Sequence, residues 1–586
     1  MNKKDLILNI LLFISQIIVF YYFFCYLFPF KEQLQMFQFT SQYLTETLKQ
    51  AGGVAIYISE FLSQFYVVFW TGPIISALLL TLVALLSSLI LKKINSRNDL
   101  PLIFLLPWLS LLIISLDYDY YEQGTIAYLF LLLFLWLYTN IKTRIKFIYG
   151  ICIIPILYGI AGPIVHLFAI SALFFEFLTN GKKKYISIIY LLIAALSAIA
   201  GTYLGYSRNL TLAFLPEAYC NPLQTVSGIY YAWYALPMTM LLVAYLKRYK
   251  EPVSLKGKCI WEGVQWAIMF LLVYQGIFHF GKLDAQHSMK QDYLLRTEQW
   301  DLVISEFNHD VLSKRRMCGL NLALAHKGQL SERLLDYPQH GIETLMLHWD
   351  QSIYTAQLHS DLYYCMGIIS AAQKFAFEAF VSSRSSGNPR MLKRLIETNL
   401  ITGSYPIADK YIQLLEKTWF YKDWATAHRR FLYNDKAVEE DKILGMKRRC
   451  WKAEASAAKL YTDPVSSLTN LLPACPDNKA GLAYLTSFLL LNKDIETYKT
   501  LQESLYRSPA WRDMTECQQE AIVICSPNDP HFWLEHGVSI KVRNRAIAFM
   551  QKVQDISRSG QNPAVALASE YGKTYWYYYR FNMMDK

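Results

Sequence analysis

The pattern of apolar and polar positions changes near residue 282. Before it, apolar stretches are long enough to cross a bilayer, whose core of about 30 Å needs roughly 20 helical residues. After it, apolar residues recur at helical spacing in segments of roughly 12–18 residues, and strand-like alternation is weak. We therefore predict an all-α chain, with a transmembrane helical domain over residues 1–281 and a soluble helical-repeat domain over residues 282–586.

The first domain is expected to contain about nine membrane spans. Their predicted positions are residues 6–30, 67–91, 100–116, 125–138, two within 147–179, 186–206, 230–246 and 260–280. Residues 147–179 fit either two short helices with a turn at Ala161-Gly162-Pro163 or one long helix. We favour two, because one helix would leave Lys182–Lys184 on the wrong side of the membrane. Residues 31–66 predict short amphipathic helices on the outer surface.

Basic residues orient these spans. Sixteen of the nineteen Lys and Arg residues before position 282 fall in five clusters, namely Lys3/Lys4, Lys92/Lys93/Arg97, Lys142/Arg144/Lys146, Lys182/Lys183/Lys184 and Lys247/Arg248/Lys250/Lys256/Lys258. The connections on the opposite side carry only Lys31, Lys49 and Arg208. Short loops rich in Lys and Arg stay in the cytoplasm. We therefore expect a cytoplasmic N-terminus and, after nine crossings, a periplasmic second domain.

Composition changes this picture little. The net charge of +11 would raise the question of nucleic-acid binding, but most of the excess lies in the topological clusters, so no nucleic-acid partner is expected. The ten Cys residues show no zinc-type spacing. Six of them lie in the predicted periplasmic half, where both disulfides and buried free thiols remain open. The partners that we expect are a lipid bilayer, from the apolar spans, and an envelope protein, from the helical-repeat domain.

One segment of the second half resembles a tetratricopeptide helix pair. Gly403 would turn the chain, Ala408 would let two helices approach, and Tyr405 and Tyr411 would fill the seam. Curved faces of helical solenoids usually bind proteins or peptides. We therefore predict Tyr405 and Tyr411 as partner-binding residues, with a domain that only caps the membrane part as the plainer alternative.

The candidate chemistry lies at the outer end of the third predicted span. Asp117, Asp119 and Glu122 are three carboxylates within six residues, and they are the predicted catalytic residues. Asp117 and Asp119 could hold a divalent cation, or one carboxylate could act as a general base. Segment 215–222, bracketed by prolines, could line the same outer cavity. A short acidic loop that merely ends a span is the plainer explanation.

This arrangement is similar to that of membrane-embedded glycosyltransferases that use lipid-linked sugar donors. Those enzymes also have a long first external connection with surface-lying helices, and often a soluble domain after the last span. The similarity implies catalysis at the outer face and a divalent cation as cofactor. One departure puts it in doubt: such enzymes usually carry an Asp early in the first external connection, whereas this chain offers only Glu32, Glu46 and Glu60.

Several stretches along the whole chain resemble an uncharacterised family of bacterial multi-pass membrane proteins, a domain of unknown function. They are residues 51–65, 117–120, 320–329 and 571–579. The resemblance implies the bacterial inner membrane and a periplasmic, tetratricopeptide-like second half, but no activity. Our first hypothesis is an inner-membrane protein whose periplasmic domain binds envelope proteins or peptides. The alternative is a glycosyltransferase-like enzyme, and a transporter or lipid flippase is the third possibility.

Overall fold

The computed structural model describes residues 3–97, 100, 102–179, 185–221, 226, 228–249, 254–306, 313–383, 387–456, 463–505, 514–527 and 529–582. These residues form α-helices and short 3-10 turns, with no β-strand among them, so the predicted all-α class is confirmed. The basic cluster Lys182–Lys184 lies outside the described residues. By contact, the chain divides into two compact units: Met1–Met289 with Lys417–Phe420, and Lys290–Glu416 with Tyr421–Lys586.

The helices of the first unit are α1 Lys3–Phe23, α2 Leu27–Glu32, α3 Ser41–Leu48, α4 Gly53–Ser63, α5 Thr71–Ile94, α6 Leu106–Ser115, α7 Glu122–Asn140, α8 Thr143–Ala161, α9 Val165–Leu178, α10 Ile189–Tyr203, α11 Leu210–Phe214, α12 Gly228–Leu246 and α13 Leu255–Phe280. Helix α14, Leu283–Arg296, runs across the division between the units. The 3-10 helices in the first unit are Gln64–Val67, Ile103–Leu105, Gly162–Ile164, Ile186–Ile188 and Pro216–Tyr219.

The helices of the second unit are α15 Trp300–Glu306, α16 Lys314–His326, α17 Leu330–Arg333, α18 Ile353–Met366, α19 Ile369–Ser382, α20 Pro389–Thr402, α21 Tyr405–Glu416, α22 Lys422–His428, α23 Asp435–Glu440, α24 Lys442–Ser456, α25 Pro464–Leu471, α26 Lys479–Leu491, α27 Ile495–Leu505, α28 Glu516–Cys525, α29 Pro530–Glu535, α30 Ile540–Arg558, α31 Pro563–Tyr571 and α32 Tyr575–Phe581. Its 3-10 helices are Leu334–Asp336, Ile342–Thr344 and Arg429–Phe431. Consecutive helices pack together, as α18 does with α19 and α20 with α21.

Among the described residues, six apolar helical stretches are long enough to cross a membrane, fewer than the nine predicted. They are Asp5–Phe23, Thr71–Ile94, Glu122–Asn140, Ile145–Leu178, Gly228–Leu246 and Lys256–Phe280. Two further predicted spans correspond to shorter apolar helices, Ile103–Ser115 and Ile189–Tyr203. The remaining difference arises because Ile145–Leu178 contains two helices, α8 and α9. These apolar helices are compatible with a membrane protein.

Helices α8 and α9 form the hairpin that was predicted for residues 147–179. Helix α8 ends at Ala161, and Gly162 takes a left-handed φ of 80° with ψ −145°, a conformation that favours glycine. Lys146 near the start of α8 lies 2.5 Å from the Glu176 carboxylate near the end of α9. This pair requires the two helices to run antiparallel, so the chain reverses at the predicted turn.

The segment 31–66 contains the two short helices that its pattern predicted, α3 and α4. The Thr40 side chain caps α3 by accepting from the Tyr43 amide. Gly52, the N-cap residue that precedes α4, has a left-handed φ of 76°, and a Cβ there would lie 3.1 Å from the Ala161 backbone. Helix α4 packs against α7 and α8. This close approach places the segment 31–66 at the end of the helical bundle where α7 begins and α8 ends.

Candidate functional site

Asp117 and Asp119 lie in the turn between α6 and α7 and are buried, at 4% and 1% exposure. The Asp119 amide donates to Asp117 Oδ1 over 2.9 Å, a local bond that Asp commonly makes in turns. The two carboxylates also share one cation, because Lys282 Nζ lies 2.9 Å from Asp117 Oδ1 and 3.3 Å from Asp119 Oδ2. The structure therefore brings these two predicted residues together around a lysine.

The segment that follows α11 completes this turn. Asn221 donates its side-chain amide to Asp119 Oδ1 over 3.0 Å and its backbone amide to Asp119 O over 2.9 Å. The Tyr121 amide donates to the Tyr219 carbonyl over 2.9 Å, which pairs the two segments in antiparallel fashion. Tyr219 and Asn221 of the segment 215–222 thus lie beside the acidic turn, Pro222 lies outside the described residues, and the shared outer cavity predicted for this segment stays a prediction.

The ion pair determines the charge of the turn. Burial alone would lower the pKa of Lys282, but the hydrogen bond to Asp117 and its negative charge outweigh burial and raise that pKa. Burial raises the pKa of Asp119, against the hydrogen bond from Asn221 and the charge of Lys282. Lys282 therefore remains charged at neutral pH, and it supplies the positive charge that two adjacent buried carboxylates need.

Glu122, the third predicted residue, faces a different cation, Lys31. Both side chains are buried and line one cleft with Tyr66, Tyr118 and Tyr120. Glu122 is the first residue of α7, where the positive end of the helix dipole favours a carboxylate. The Lys31 ammonium donates to the Ser115 carbonyl over 3.0 Å and stands 5.8 Å from the centre of the Tyr120 ring.

Burial lowers the pKa of Lys31, while the nearby charge of Glu122 opposes that shift. The acidic residues of the segment 31–66 differ in their surroundings. Glu32 and Glu60 are buried, at 3% and 1% exposure, whereas Glu46 is exposed and accepts a bond from Gln42. Five buried carboxylates thus belong to the turn before α7, the start of α7 and the segment 31–66.

Buried charges are expensive unless they are paired and hydrogen bonded, so such a concentration has to be compensated by structure or used by function. A buried carboxylate beside a buried ammonium can accept a proton from a substrate hydroxyl while the ammonium faces an anion. The cleft as it stands has little open volume, and its wall is largely tyrosine. The arrangement therefore suits proton transfer on a polar group that enters from the edge of the bundle.

Metal binding at Asp117 and Asp119 remains a prediction. The described residues contain no group of three or more His, Cys, Asp or Glu side chains placed to hold a metal ion. Lys282 and Asn221 already occupy the two carboxylates. A divalent cation would have to displace Lys282 and draw its remaining ligands from backbone oxygens or water.

The predicted partner-binding tyrosines lie in α21. Tyr405 is buried, and its hydroxyl donates to Asp435 and accepts from Arg448 Nη2 over 3.0 Å. Tyr411 is half-buried and packs its ring 6.1 Å from that of Phe380. The Tyr405 hydroxyl is therefore engaged within the domain, while the edge of Tyr411 is open to solvent. Their role toward a partner remains a prediction.

Sequence reasoning missed the two lysines of the site. Lys31 and Lys282 both lie on the side of the predicted membrane where basic residues are rare. This rarity is the feature of the sequence that could have drawn attention to them. In the sequence, Lys31 is one of the few exceptions to the charge pattern, and Lys282 is the first residue of the predicted second domain. Lys49 and Arg208 on the same side are exposed, so this rarity alone does not identify the two lysines that have buried acidic partners.

Comparisons with known proteins give a family and no activity. No curated protein and no solved structure matches the chain. The model of DUF6057, a family of unknown function, matches residues 2–582. This confirms the expected membership of an uncharacterised domain family that covers nearly the whole chain. The chain belongs to the DUF6057 family.

Proposed function

We propose that this protein is a membrane-embedded transferase of the bacterial inner membrane, acting at the outer face on a lipid-linked donor. In this proposal the N-terminus is cytoplasmic and the helical domain after residue 282 is periplasmic. The apolar helices and the distribution of basic residues support that topology. The observation that carries the enzymatic part is the burial of Lys31 and Glu122 in one cleft at the start of α7.

The residues have distinct roles in the proposed reaction. Glu122 accepts the proton of an acceptor hydroxyl, and Lys31 neutralises the phosphate of the donor. The cleft lies beside the segment 31–66, which packs on α7 and α8, so a lipid-linked donor would reach it from the bilayer. Asp117 and Asp119 remain candidate cation ligands, and Lys282 would have to withdraw before a cation could bind them.

The test uses the full chain in phosphatidylethanolamine–phosphatidylglycerol vesicles that contain a polyprenyl-phosphate sugar, radiolabelled in its polyprenyl chain, and an alkyl glycoside whose hydroxyl groups accept the sugar. Transfer is followed as release of polyprenyl phosphate. We expect Glu122→Gln and Lys31→Met each to reduce release by about 100-fold or more, the usual effect of removing a general base or a charge-stabilising group. Glu46→Gln is the matched control, because Glu46 is exposed and outside the cleft.

Equal rates for Glu122→Gln and the wild-type chain would overturn the catalytic role. Absence of release by the wild-type chain, together with no thermal stabilisation by polyprenyl phosphate, would overturn the donor class.

A second proposal concerns the helical domain, which would bind an envelope protein or peptide. Its support is an exposed apolar pair one turn apart on α19, Phe377 at 48% and Val381 at 57% exposure. A photo-crosslinking residue at Phe377 should capture a periplasmic partner, and one at the exposed Lys436 should not. Equal or absent capture at both positions would contradict this proposal.

A further inference from the structure

Two cysteines of the helical domain meet in its interior. Cys450 lies in α24 and Cys475 lies four residues after the end of α25, and their sulfur atoms are 3.0 Å apart. Both side chains are buried, at 0% and 1% exposure. Cys318 differs, because its thiol donates to the Glu343 carbonyl over 3.2 Å. The sulfur contact therefore distinguishes Cys450 and Cys475 from a cysteine that is simply buried.

The surroundings hold the pair in place. Asn478 caps α26 by accepting from the Gly481 amide, and it donates to the Met366 carbonyl at the end of α18 over 2.8 Å. Gly367 follows with a left-handed φ of 87°, and a Cβ there would lie 3.1 Å from the Cys450 sulfur. Three helix segments thus converge on the two sulfurs.

The charges around the sulfurs favour thiolate chemistry at one of them. The hydrogen bond from the Cys475 thiol and the charge of the buried Lys447 lower the pKa of Cys450, against the effect of burial. The Lys447 ammonium donates to the Cys365 carbonyl over 2.9 Å. The thiolate is the nucleophile of disulfide exchange, and the 3.0 Å contact places each sulfur within reach of the other.

We propose that Cys450 and Cys475 form a disulfide bond that fastens α24 to the start of α26. The inference rests on the proposed periplasmic location, because disulfides persist in oxidising compartments. During folding the thiolate of one of the two cysteines attacks a disulfide of an external oxidant, which releases one thiolate of that oxidant and leaves a mixed disulfide. The thiolate of the other cysteine then attacks the cysteine sulfur of this mixed disulfide and releases the second thiolate of the oxidant. Two electrons pass to the oxidant, and its two thiolates take up the two thiol protons.

The experiment traps free thiols in whole cells with N-ethylmaleimide, then maps peptides of the purified full chain without reduction. We expect the peptides that contain Cys450 and Cys475 to be linked. The link should be absent in Cys475→Ser and retained in Cys318→Ser, which alters a buried cysteine outside the pair. Alkylation of both Cys450 and Cys475 in the wild-type chain would overturn the proposal.

A second readout separates this failure from failure of the proposed topology. Lys436→Cys places a thiol on an exposed position of the same domain, and a membrane-impermeant maleimide reports its side in spheroplasts. If the maleimide labels position 436 and Cys450 and Cys475 are both found as free thiols, the disulfide is overturned and the proposed topology is retained. If the maleimide does not label position 436 and Cys450 and Cys475 are free thiols, both the disulfide and the proposed topology are overturned. With the disulfide present, reduction should lower the thermal midpoint by about 5–10 °C, and Cys475→Ser should remove that shift.

Discussion

Lys282 places its ammonium 2.9 Å from the Asp117 carboxylate, across 165 positions of sequence. Lys282 has a left-handed φ of 41° and stands between α13 and α14. The pair therefore fixes the backbone at the end of the last apolar helix to the turn before α7. Asp117, which the sequence analysis predicted as a catalytic residue, therefore has a structural role as the ion-pair partner of Lys282.

Replacing Lys282 by Met should destabilise the protein, because Asp117 and Asp119 would lose their cation while remaining buried. We expect a loss of about 1–3 kcal/mol in the free energy of unfolding, below the range for fully buried pairs because Lys282 is partly exposed. Thermal unfolding in detergent measures it, with the exposed Lys49→Met as control. Asp117→Asn should cost less in the Lys282→Met background than alone, and strictly additive losses would refute the coupling.

Gly162 is expected to tolerate substitution poorly. Gly162→Ala forces an L side chain into φ 80°, ψ −145°, which costs about 1–3 kcal/mol. Gly159, in the preceding turn of α8, is the matched control, because a Cβ there meets nothing within 4 Å. Gly159→Ala should be neutral or stabilising by up to about 1 kcal/mol. Similar thermal midpoints for the two variants would contradict the strained turn.

The sequence predicted local features better than contacts between distant segments. The hairpin of α8 and α9 was predictable, because Gly162-Pro163 interrupts an apolar stretch too long for one span. The amphipathic helices α3 and α4 were predictable from their spacing. Span number was less secure, since the short α6 and α10 fall below the length of an ordinary span.

The composition of the site was only half predictable. The three carboxylates lie within six residues of one another, so they could be identified from the sequence alone. Lys31 and Lys282 reach them through the fold, and single-sequence periodicity carries no information on such long-range pairs. Tyr405 shows the same limit: the helix-pair pattern singled it out, but its bonds to Arg448 and Asp435 could not be predicted from that pattern.

Asp361 joins two arginines in the helical domain. Arg390 bonds both Asp361 and Asp292, and Arg394 lies 3.1 Å from the other Asp361 oxygen. Burial alone would raise the pKa of Asp361, but the charges of the two arginines outweigh it and lower the pKa. Asp361→Asn should therefore cost about 3 kcal/mol by leaving two partly buried guanidinium groups poorly paired.

Urea unfolding monitored by tryptophan fluorescence measures this loss. Asp477→Asn is the control, because its bond to Arg449 is exposed and such surface pairs contribute about 1 kcal/mol or less. Equal losses for Asp361→Asn and Asp477→Asn would show that the partly buried network of Asp361 contributes no more than a surface pair.

Glu520 gives the helical domain a pH dependence. Its buried carboxylate accepts from the Tyr575 amide over 2.6 Å at the start of α32. Burial raises the pKa of Glu520 to about 7 from its ordinary value of 4.5. Since the folded-state pKa is the higher one, the folded state binds the proton more tightly than the unfolded state. The resulting stabilisation is fully present below pH 4.5 and is lost as the pH rises to about 7.

Glu520→Gln should remove this dependence, because the amide stays neutral and its oxygen still accepts from Tyr575. A shift from 4.5 to about 7 corresponds to about 3 kcal/mol, so the variant should gain up to that amount on the wild-type chain between pH 4.5 and pH 8. Unfolding midpoints across this range measure the gain, with the exposed Glu440→Gln as control. A constant difference between Glu520→Gln and the wild-type chain at every pH would mean that Glu520 does not titrate with a raised pKa in the folded domain.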